Sequence, residues 1–285
     1  MTLNFGSVRR SAKLPAPPYE PEGAELAMAE SAPSLLPIIP ETEPDELHPT
    51  GLLPAQHLRG LLEHSREIEA IEPIEAAQIQ PASLDLRLGG TAYRVRASFL
   101  PGRAATVQQK IEALAMHRFE LGDEGAVLEK GCVYIVELME RLCLKRRTSA
   151  VANPKSSIGR LDVFTRVIAD GATAFDRLPD GYKGPLYAEI APRTFSISVR
   201  EGSRLCQLRV RRGSPTLGQG ALERLQDRHQ LVESGSDAPI IQDDQIGVTL
   251  DLTPDPVTGV IGFRARKHTD VIDVEAKGAY DAADF

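Results

Sequence analysis

Tryptophan is absent from this chain of 285 residues, and aromatic side chains make up only 5% of it. A surface that stacks single-stranded nucleic acid on rows of rings is therefore not expected. An excess of positive charge is lacking too, because 33 lysines and arginines face 40 aspartates and glutamates, which gives a formal net charge of −7. A surface for duplex DNA normally has the opposite balance. The composition predicts that the protein has no nucleic-acid partner.

Long hydrophobic runs are missing as well. The apolar stretches are short and interrupted by proline, as in SLLPIIP at 34–40, so the sequence predicts no membrane span and no membrane partner. The N-terminus shows no charged start followed by an apolar stretch and a small-residue cleavage site. We therefore expect a soluble, cytoplasmic protein.

Cysteine is scarce, and its spacing excludes two kinds of site. Cys132, Cys143 and Cys206 are odd in number and far apart, which favours free thiols over a disulfide framework. Neither a CxxC pair nor an HxE triplet occurs, so the usual structural zinc spacing and the zinc-deaminase signature are both absent.

Proline and hydrophobic spacing divide the chain. Ten of the 21 prolines fall within the first 54 residues, so we predict a mobile, proline-rich tail at 1–50. The residues that follow, LLPAQHLRGLLEHSREI, show helical spacing of their leucines and predict a short helix. We place the main domain at 51–215, and GALERLQDRHQLVES predicts a helical or irregular linker within 216–245.

Alternating segments dominate the main domain. Apolar and polar residues alternate in SLDLRL at 83–88, VYIVEL at 133–138, FSISV at 195–199 and QLRVR at 207–211. Turn-forming clusters separate these segments, and no strand–helix–strand rhythm appears, so we predict an antiparallel barrel or jelly roll with a few short helices. Residues 108–130 have helical composition and are interpreted as an insertion.

The C-terminal part repeats the start of the domain. IGVTLDLTPDPVTGVIGFRAR at 246–266 resembles IQPASLDLRLGGTAYRVRAS at 79–98, with LDL, a turn and an arginine-rich alternating strand in both. We interpret 246–285 as the start of a second, incomplete copy. A chance match between two alternating strands is the alternative.

Positive charge is concentrated in one block despite the acidic whole. Residues 141–212 contain 15 lysines and arginines against 6 aspartates and glutamates. Such a block favours an anionic ligand, with phosphate as the obvious group, although a solvated or subunit-facing basic strand would show the same pattern.

Two segments within the block carry candidate site residues. In NPKSSIGR at 153–160, two hydroxyls, two cations and Gly159 could converge on phosphate oxygens, although the segment is not a Walker loop and could be an ordinary turn. In PLYAEIA at 185–191, alternation places Leu186, Ala188 and Ile190 on one face and Tyr187 and Glu189 on the other. A strand glutamate is usually exposed and salt-paired, but in a basic nucleotide cleft a fixed carboxylate can activate water.

Four segments in order carry a family likeness. IQPASLDLRLG (79–89), KSSIGR (155–160), DGYKGPLYAEI (180–190) and GSRLCQL (202–208) resemble the signature segments of dCTP deaminases, a branch of the trimeric dUTPase superfamily. The likeness spans about 53–213. The repeated LDL segment resembles the longer, duplicated bacterial members.

The resemblance implies a mainly β, distorted antiparallel jelly-roll subunit of the dUTPase type, which forms a homotrimer or higher homo-oligomer with active sites between subunits. It implies the zinc-free hydrolysis of dCTP to dUTP and ammonia, with Mg²⁺ carried by the triphosphate of the substrate rather than by protein ligands. Glu189 would be the general base, with Ser156 and Arg160 holding and polarising the base and the catalytic water. The residues implied to line the nucleotide are Lys155, Ser156, Ser157, Ile158, Gly159, Arg160, Tyr187, Ala188 and Glu189. The acidic residue near the sugar would be Asp176 or Asp180, and the FD pattern favours Asp176.

Three other functions fit the same segments. A dUTPase-type pyrophosphatase shares the fold, and a bifunctional enzyme would catalyse both reactions. A nucleotide-binding subunit without catalytic activity is the third possibility, because the second copy is unfinished.

Overall fold

The structure is a computed structural model that describes residues 50–213, 218–232, 240–242 and 245–285. All of the predicted proline-rich tail except Thr50 lies outside the described residues, and so does part of the predicted linker. No helix in the described ranges is long and apolar enough to cross a membrane.

Strands form most of the described secondary structure. Their bounds are β1 Gly51–Leu52, β2 Ile68–Ala70, β3 Ile79–Gln80, β4 Ser83–Leu86, β5 Leu88–Val95, β6 Ala115–Glu120, β7 Ala126–Leu128, β8 Val133–Cys143, β9 Thr148–Pro154, β10 Val163–Ala169, β11 Arg177–Leu178, β12 Lys183–Pro192, β13 Ile197–Val199, β14 Cys206–Arg212, β15 Ile241–Gln242, β16 Gln245–Ile246 and β17 Ile272–Asp273. The α-helices are α1 Ala55–Glu63, α2 Val107–Leu114, α3 Ser156–Gly159 and α4 Gln219–His229, and 3₁₀ turns lie at Ala76–Gln78 and Ala282–Asp284.

Two six-stranded antiparallel sheets form most of the domain, and a smaller third sheet has the order β17-β13-β7, with β13 parallel to β17. The first has the order β11-β9-β14-β4-β3, with β1 also beside β14, and the second has the order β10-β12-β8-β5-β6, with β2 also beside β8. Their facing sides bury one large apolar cluster, to which Leu84 and Leu208 contribute from the first sheet and Val136 and Ala188 from the second. The prediction of a mainly β, antiparallel architecture is confirmed.

The second sheet is buried on its outer side as well. Ile135 of β8 and Tyr187 of β12 point away from the large cluster and pack with Val107 and Ile111 of α2. Thr106 caps this helix, since its side chain accepts the N–H of Gln109 at 3.2 Å while the Gln109 side chain accepts the N–H of Thr106 at 3.0 Å. The segment interpreted as an insertion is therefore a helix that covers the sheet, followed by the edge strand β6.

A buried ion pair fixes the LDLRL segment in place. The Glu140 carboxylate of β8 accepts hydrogen bonds from Arg87 Nε and from the Arg87 backbone N–H, both at 2.8 Å, and from Gln78 Nε2 at 3.0 Å. The remaining guanidinium nitrogens donate to the carbonyls of Pro73 and Glu72. The network satisfies both charges inside the protein, as burial of charge requires.

The C-terminal residues form little regular structure. The alternation at 246–266 predicts strands, but within the described segment 245–285 only β16 and β17 form, and Val248, Leu250 and Phe263 are exposed. An alternating segment becomes a strand only where a neighbouring strand accepts its hydrogen bonds, and none lies beside 247–271 in the described structure. The strand prediction is wrong for this stretch, and the interpretation of 246–285 as a second copy stays a prediction. The chain ends against the domain, where Arg200 forms two hydrogen bonds with Asp273.

Candidate active site

Strand β12 carries Glu189 into a buried position. It is a central strand, paired on one side with β10 and on the other with β8. The alternation predicted from the sequence is confirmed, since Ala188 and Ile190 lie in the large cluster and Tyr187 on the opposite face. Glu189 shares the outer face with Tyr187 but is only 1% exposed. This burial differs from the exposed position that is usual for a strand glutamate, although the side chain is salt-paired.

Arg166 of β10 lies directly across from Glu189. It is the cross-strand partner of Glu189, and its guanidinium group donates two hydrogen bonds to Glu189 Oε1, the one from Nε at 3.1 Å. The other carboxylate oxygen, Oε2, is buried and has no hydrogen-bond partner among the described residues. A buried oxygen without a partner costs free energy, so Oε2 is an unsatisfied acceptor in this structure.

Arg166 is held from three sides. Its Nη2 donates to Ser98 Oγ at 3.0 Å, and its guanidinium carbon lies 3.8 Å from the centre of the Phe175 ring. The sequence analysis did not identify Arg166, because the pairing register between β10 and β12 cannot be derived from the sequence. The alternation in VFTRVIA indicates only that Phe164 and Arg166 share a face.

Arg166 also lines a cavity of about 290 Å³, together with Pro154, Gly159, Asp176 and residues 162–165. The cavity lies beside the C-terminal residues of β9 and α3 and the start of β10. Glu189 is not among its lining residues and lies behind Arg166. Thr165 also lines the cavity, and its Oγ1 is a second buried atom without a partner among the described residues.

Asp176 lines the cavity and is hydrogen-bonded to the strands β9 and β10. Its backbone has a positive φ of 61°, its carboxylate accepts the Val167 N–H at 2.7 Å, and its carbonyl oxygen accepts the Ala152 N–H at 2.9 Å. Burial raises the pKa of Asp176, although the Val167 hydrogen bond and the charge of Arg166 oppose the increase. Asp180 is exposed and does not line the cavity. Of the two alternatives, the structure brings Asp176 to the site.

The KSSIGR segment forms a short helix beside the cavity. Ile158 is buried in the large cluster and anchors the segment, whereas Ser156, Ser157 and Arg160 are exposed. Gly159 lines the cavity. No contact joins Ser156 or Arg160 to Glu189 in the described structure, so their implied roles stay predictions.

Two other implied contacts differ from the expectation. Lys155 Nζ forms an ion pair with Asp85, which is 3% exposed on its side chain, so this cation is already neutralised within the chain. Tyr187 and Ala188 lie on a strand whose backbone faces protein strands on both sides. Their contacts with a nucleotide also stay predictions. Burial raises the pKa of the Tyr187 hydroxyl, so it remains protonated at neutral pH.

Metal ligands are not clustered in the part of the chain that the structure describes, where no three His, Cys, Asp or Glu side chains come together. Cys206 is buried, and burial raises the pKa of its thiol. All three cysteines are free.

Comparison with known proteins gives a consistent result. The family model of the 2′-deoxycytidine 5′-triphosphate deaminase N-terminal domain matches residues 49–214, and that of the C-terminal domain of the same family matches residues 219–285. A curated "dCTP deaminase, dUMP-forming" from Coprothermobacter proteolyticus is 27% identical over 139 residues, which cover 48% of this chain and 70% of that protein. One of the same description from Persephonella marina is 28% identical over 160 residues, or 55% and 81% of the two chains.

A solved structure extends the likeness. The crystal structure of 2′-deoxycytidine 5′-triphosphate deaminase from Agrobacterium tumefaciens superimposes with a TM-score of 0.76 at 47% identity, covering 83% of this chain and 69% of that one. The order of the four segments, the two antiparallel sheets and both family models agree. The chain belongs to the 2′-deoxycytidine 5′-triphosphate deaminase family.

Proposed function

We propose that this protein is a dCTP deaminase that hydrolyses dCTP to dUTP and ammonia, with Glu189 as the general base. Family membership over residues 49–214 supports the reaction. The observation that carries the role of Glu189 is its buried carboxylate, in which Oε1 is bound by Arg166 and Oε2 lacks a partner among the residues that the structure describes.

The geometry suits proton transfer from water. The water oxygen would bond to C4 of the cytosine while Oε2 takes one of its protons, and the C4–N4 bond then breaks. One water proton ends on N3 of the pyrimidine and the other leaves on ammonia, so Glu189 is unchanged after the cycle. The implied roles of Ser156 and Arg160 are to hold the catalytic water and stabilise the negative charge that develops, since such donors contribute most when they are fixed before the reaction.

The nucleotide would enter through the cavity lined by Gly159 and Asp176. Asp176 is held rigidly by β9 and β10, so it could accept a hydrogen bond from the sugar hydroxyl. Mg²⁺ would arrive with the triphosphate. Arg166 lines the cavity and donates to Glu189, which does not line it. For a bound nucleotide to reach the Glu189 carboxylate, the Arg166 side chain would therefore have to move aside.

A bifunctional reaction is the second candidate. Two curated relatives are described as dUMP-forming, so in them the product of deamination loses pyrophosphate as well. For this chain the same outcome would require water to attack the α-phosphate near Asp176.

The test measures four products. The protein is incubated with Mg²⁺ and either dCTP or, in a separate reaction, dUTP. Ammonia is measured by a coupled assay, and dUTP, dUMP and pyrophosphate are separated by ion-exchange chromatography. Ammonia with dUTP supports the proposal, whereas ammonia with dUMP and pyrophosphate supports the bifunctional enzyme. Pyrophosphate from dUTP without ammonia from dCTP would indicate a dUTPase, and dCTP binding without any product would indicate a non-catalytic subunit.

The role of Glu189 is tested in the same assay. Glu189→Gln keeps the shape but removes the proton acceptor, so turnover should fall at least about 100-fold while dCTP affinity stays within about tenfold. The control is Glu120→Gln, which makes the same change at an exposed glutamate of the edge strand β6 and should leave both quantities unchanged. Near-normal turnover in Glu189→Gln would exclude this residue as the base.

A further inference from the structure

A second cleft lies at the opposite end of β9. It has a volume of about 380 Å³, within the usual range for sites of small ligands, and is lined by Thr50, Lys145, Arg146, Arg147, Thr148 and Arg212. We call it the basic cleft. The seven residues of β9 run from Thr148 at this cleft to Pro154 at the candidate active site. At the usual rise per residue, the two sites are separated by about 20 Å.

The walls of the basic cleft are built from paired strands. Arg212 of β14 pairs with Gly51 of β1 on one side and with Thr148 of β9 on the other. The loop between β8 and β9 closes the cleft, since Thr148 N–H donates to the Lys145 carbonyl at 3.1 Å and Gly213 N–H to the Arg147 carbonyl at 2.9 Å. These bonds tie the basic loop to the sheet.

A buried carboxylate supports the loop from beneath. Glu67 is fully buried, and its Oε2 accepts the Lys145 N–H at 2.9 Å. Its Oε1 accepts the Ser65 hydroxyl at 3.0 Å and lies 3.6 Å from Arg212 Nη2. Glu67 therefore offsets part of one positive charge and positions the loop, but it does not face the solvent.

The positive charge of the basic cleft is not neutralised. Of its four cations only Arg212 has a carboxylate within ion-pair distance, and Lys145, Arg146 and Arg147 have none in the part of the chain that is described. The backbone N–H groups of Arg146 and Arg147 likewise have no protein acceptor there. After Glu67 is counted, a net charge of about +3 remains around one opening. Arginines and free N–H groups at such an opening match phosphate oxygens.

We propose that the basic cleft binds the oligophosphate group of a small molecule, at a site separate from the candidate active site. Several negative charges on one compact group complement a cluster of four cations. A nucleic-acid strand fits less well, because the chain as a whole carries a net charge of −7 and would repel a long polyanion.

The test uses inorganic triphosphate and the full chain in calorimetric titration. The variant Arg146→Gln/Arg147→Asn removes two of the uncompensated charges, and asparagine suits the positive φ of 64° at Arg147. The control Arg59→Gln/Arg103→Gln removes the same charge at exposed positions outside both cavities. We expect the Arg146→Gln/Arg147→Asn variant, called the loop variant, to lose one triphosphate site per chain or to bind triphosphate at the basic cleft at least about tenfold more weakly. The control should bind triphosphate like the parent.

Two further measurements separate this inference from the proposed function. The dCTP turnover of the loop variant should stay within about twofold of the parent value, because the basic cleft is distant from Glu189. Arg146→Gln alone should weaken binding in the same direction. Equal titrations of the loop variant and the control would overturn the proposal, and so would binding of an oligonucleotide in the absence of triphosphate binding.

Discussion

The Glu189 carboxyl group on β12 is positioned by the side chain of Arg166 on the neighbouring strand β10. Arg166 donates to Oε1, whereas Oε2 has no partner in the described part of the chain, so the two oxygens of one carboxylate have different environments. Arg166 itself is restrained by Ser98 and Phe175. Glu189, which the resemblance implies as the general base, therefore lies beside a cation that the sequence analysis did not identify as part of the site.

Asp176 allows a prediction at the same scale. Burial raises the pKa of Asp176, so the folded state binds this proton more tightly than the unfolded state does. The parent protein therefore loses stability as the pH rises from below the usual aspartate pKa to above the pKa of Asp176 in the folded state. Asp176→Asn keeps an acceptor for the Val167 N–H and tolerates the positive φ, but does not titrate. The unfolding free energy of the variant minus that of the parent should therefore increase between pH 4.5 and pH 7. Urea unfolding of both proteins at both pH values measures this difference in unfolding free energy. A difference that decreases as the pH rises would contradict burial as the cause of the raised Asp176 pKa.

At the scale of elements, strand β8 joins the two parts of the core. Ile135 packs under α2, whereas Val136 and Leu138 lie in the large cluster between the sheets. Glu140 on the same strand accepts hydrogen bonds from Arg87 and Gln78. The strand thus supports both the outer helix and the segment that carries the LDLRL motif.

The Arg87–Glu140 pair predicts a stability effect. Glu140→Ala leaves the Arg87 guanidinium buried without its carboxylate, and should lower the free energy of unfolding by about 3–5 kcal/mol. The double variant Arg87→Met/Glu140→Leu removes both charges and should lose clearly less. Urea unfolding at a fixed protein concentration compares the two, and a double variant that is as unstable as Glu140→Ala would show that packing rather than charge dominates.

At the scale of the whole molecule, the candidate site is open on one side. Ser156, Ser157 and Arg160 are exposed beside the cavity, and apolar side chains such as Leu250 and Phe263 are exposed further along the chain. We propose that a homotrimer completes the site, as the resemblance implies, since exposed apolar surface often marks an interface.

Light scattering coupled to gel filtration tests this assembly. A homotrimer has three times the mass of the 31.0 kDa chain. The mass should stay at that value across about a hundredfold range of concentration, because a site shared between subunits requires a stable interface. A mass of one chain in a preparation that releases ammonia from dCTP would contradict the prediction.

The sequence by itself determined the β class, the helix after residue 53, the alternation that separates Ala188 from Glu189, and the order of segments that indicates the family. Local spacing and composition carry these features, so they can be found without a fold. Only the tertiary structure decided that Arg166 lies across from Glu189, that Lys155 pairs with Asp85, that Asp176 rather than Asp180 reaches the cavity, and that a basic cleft forms where three strands meet. Each of these depends on the register between strands that are distant in the chain, and burial of side chains throughout the core sets that register.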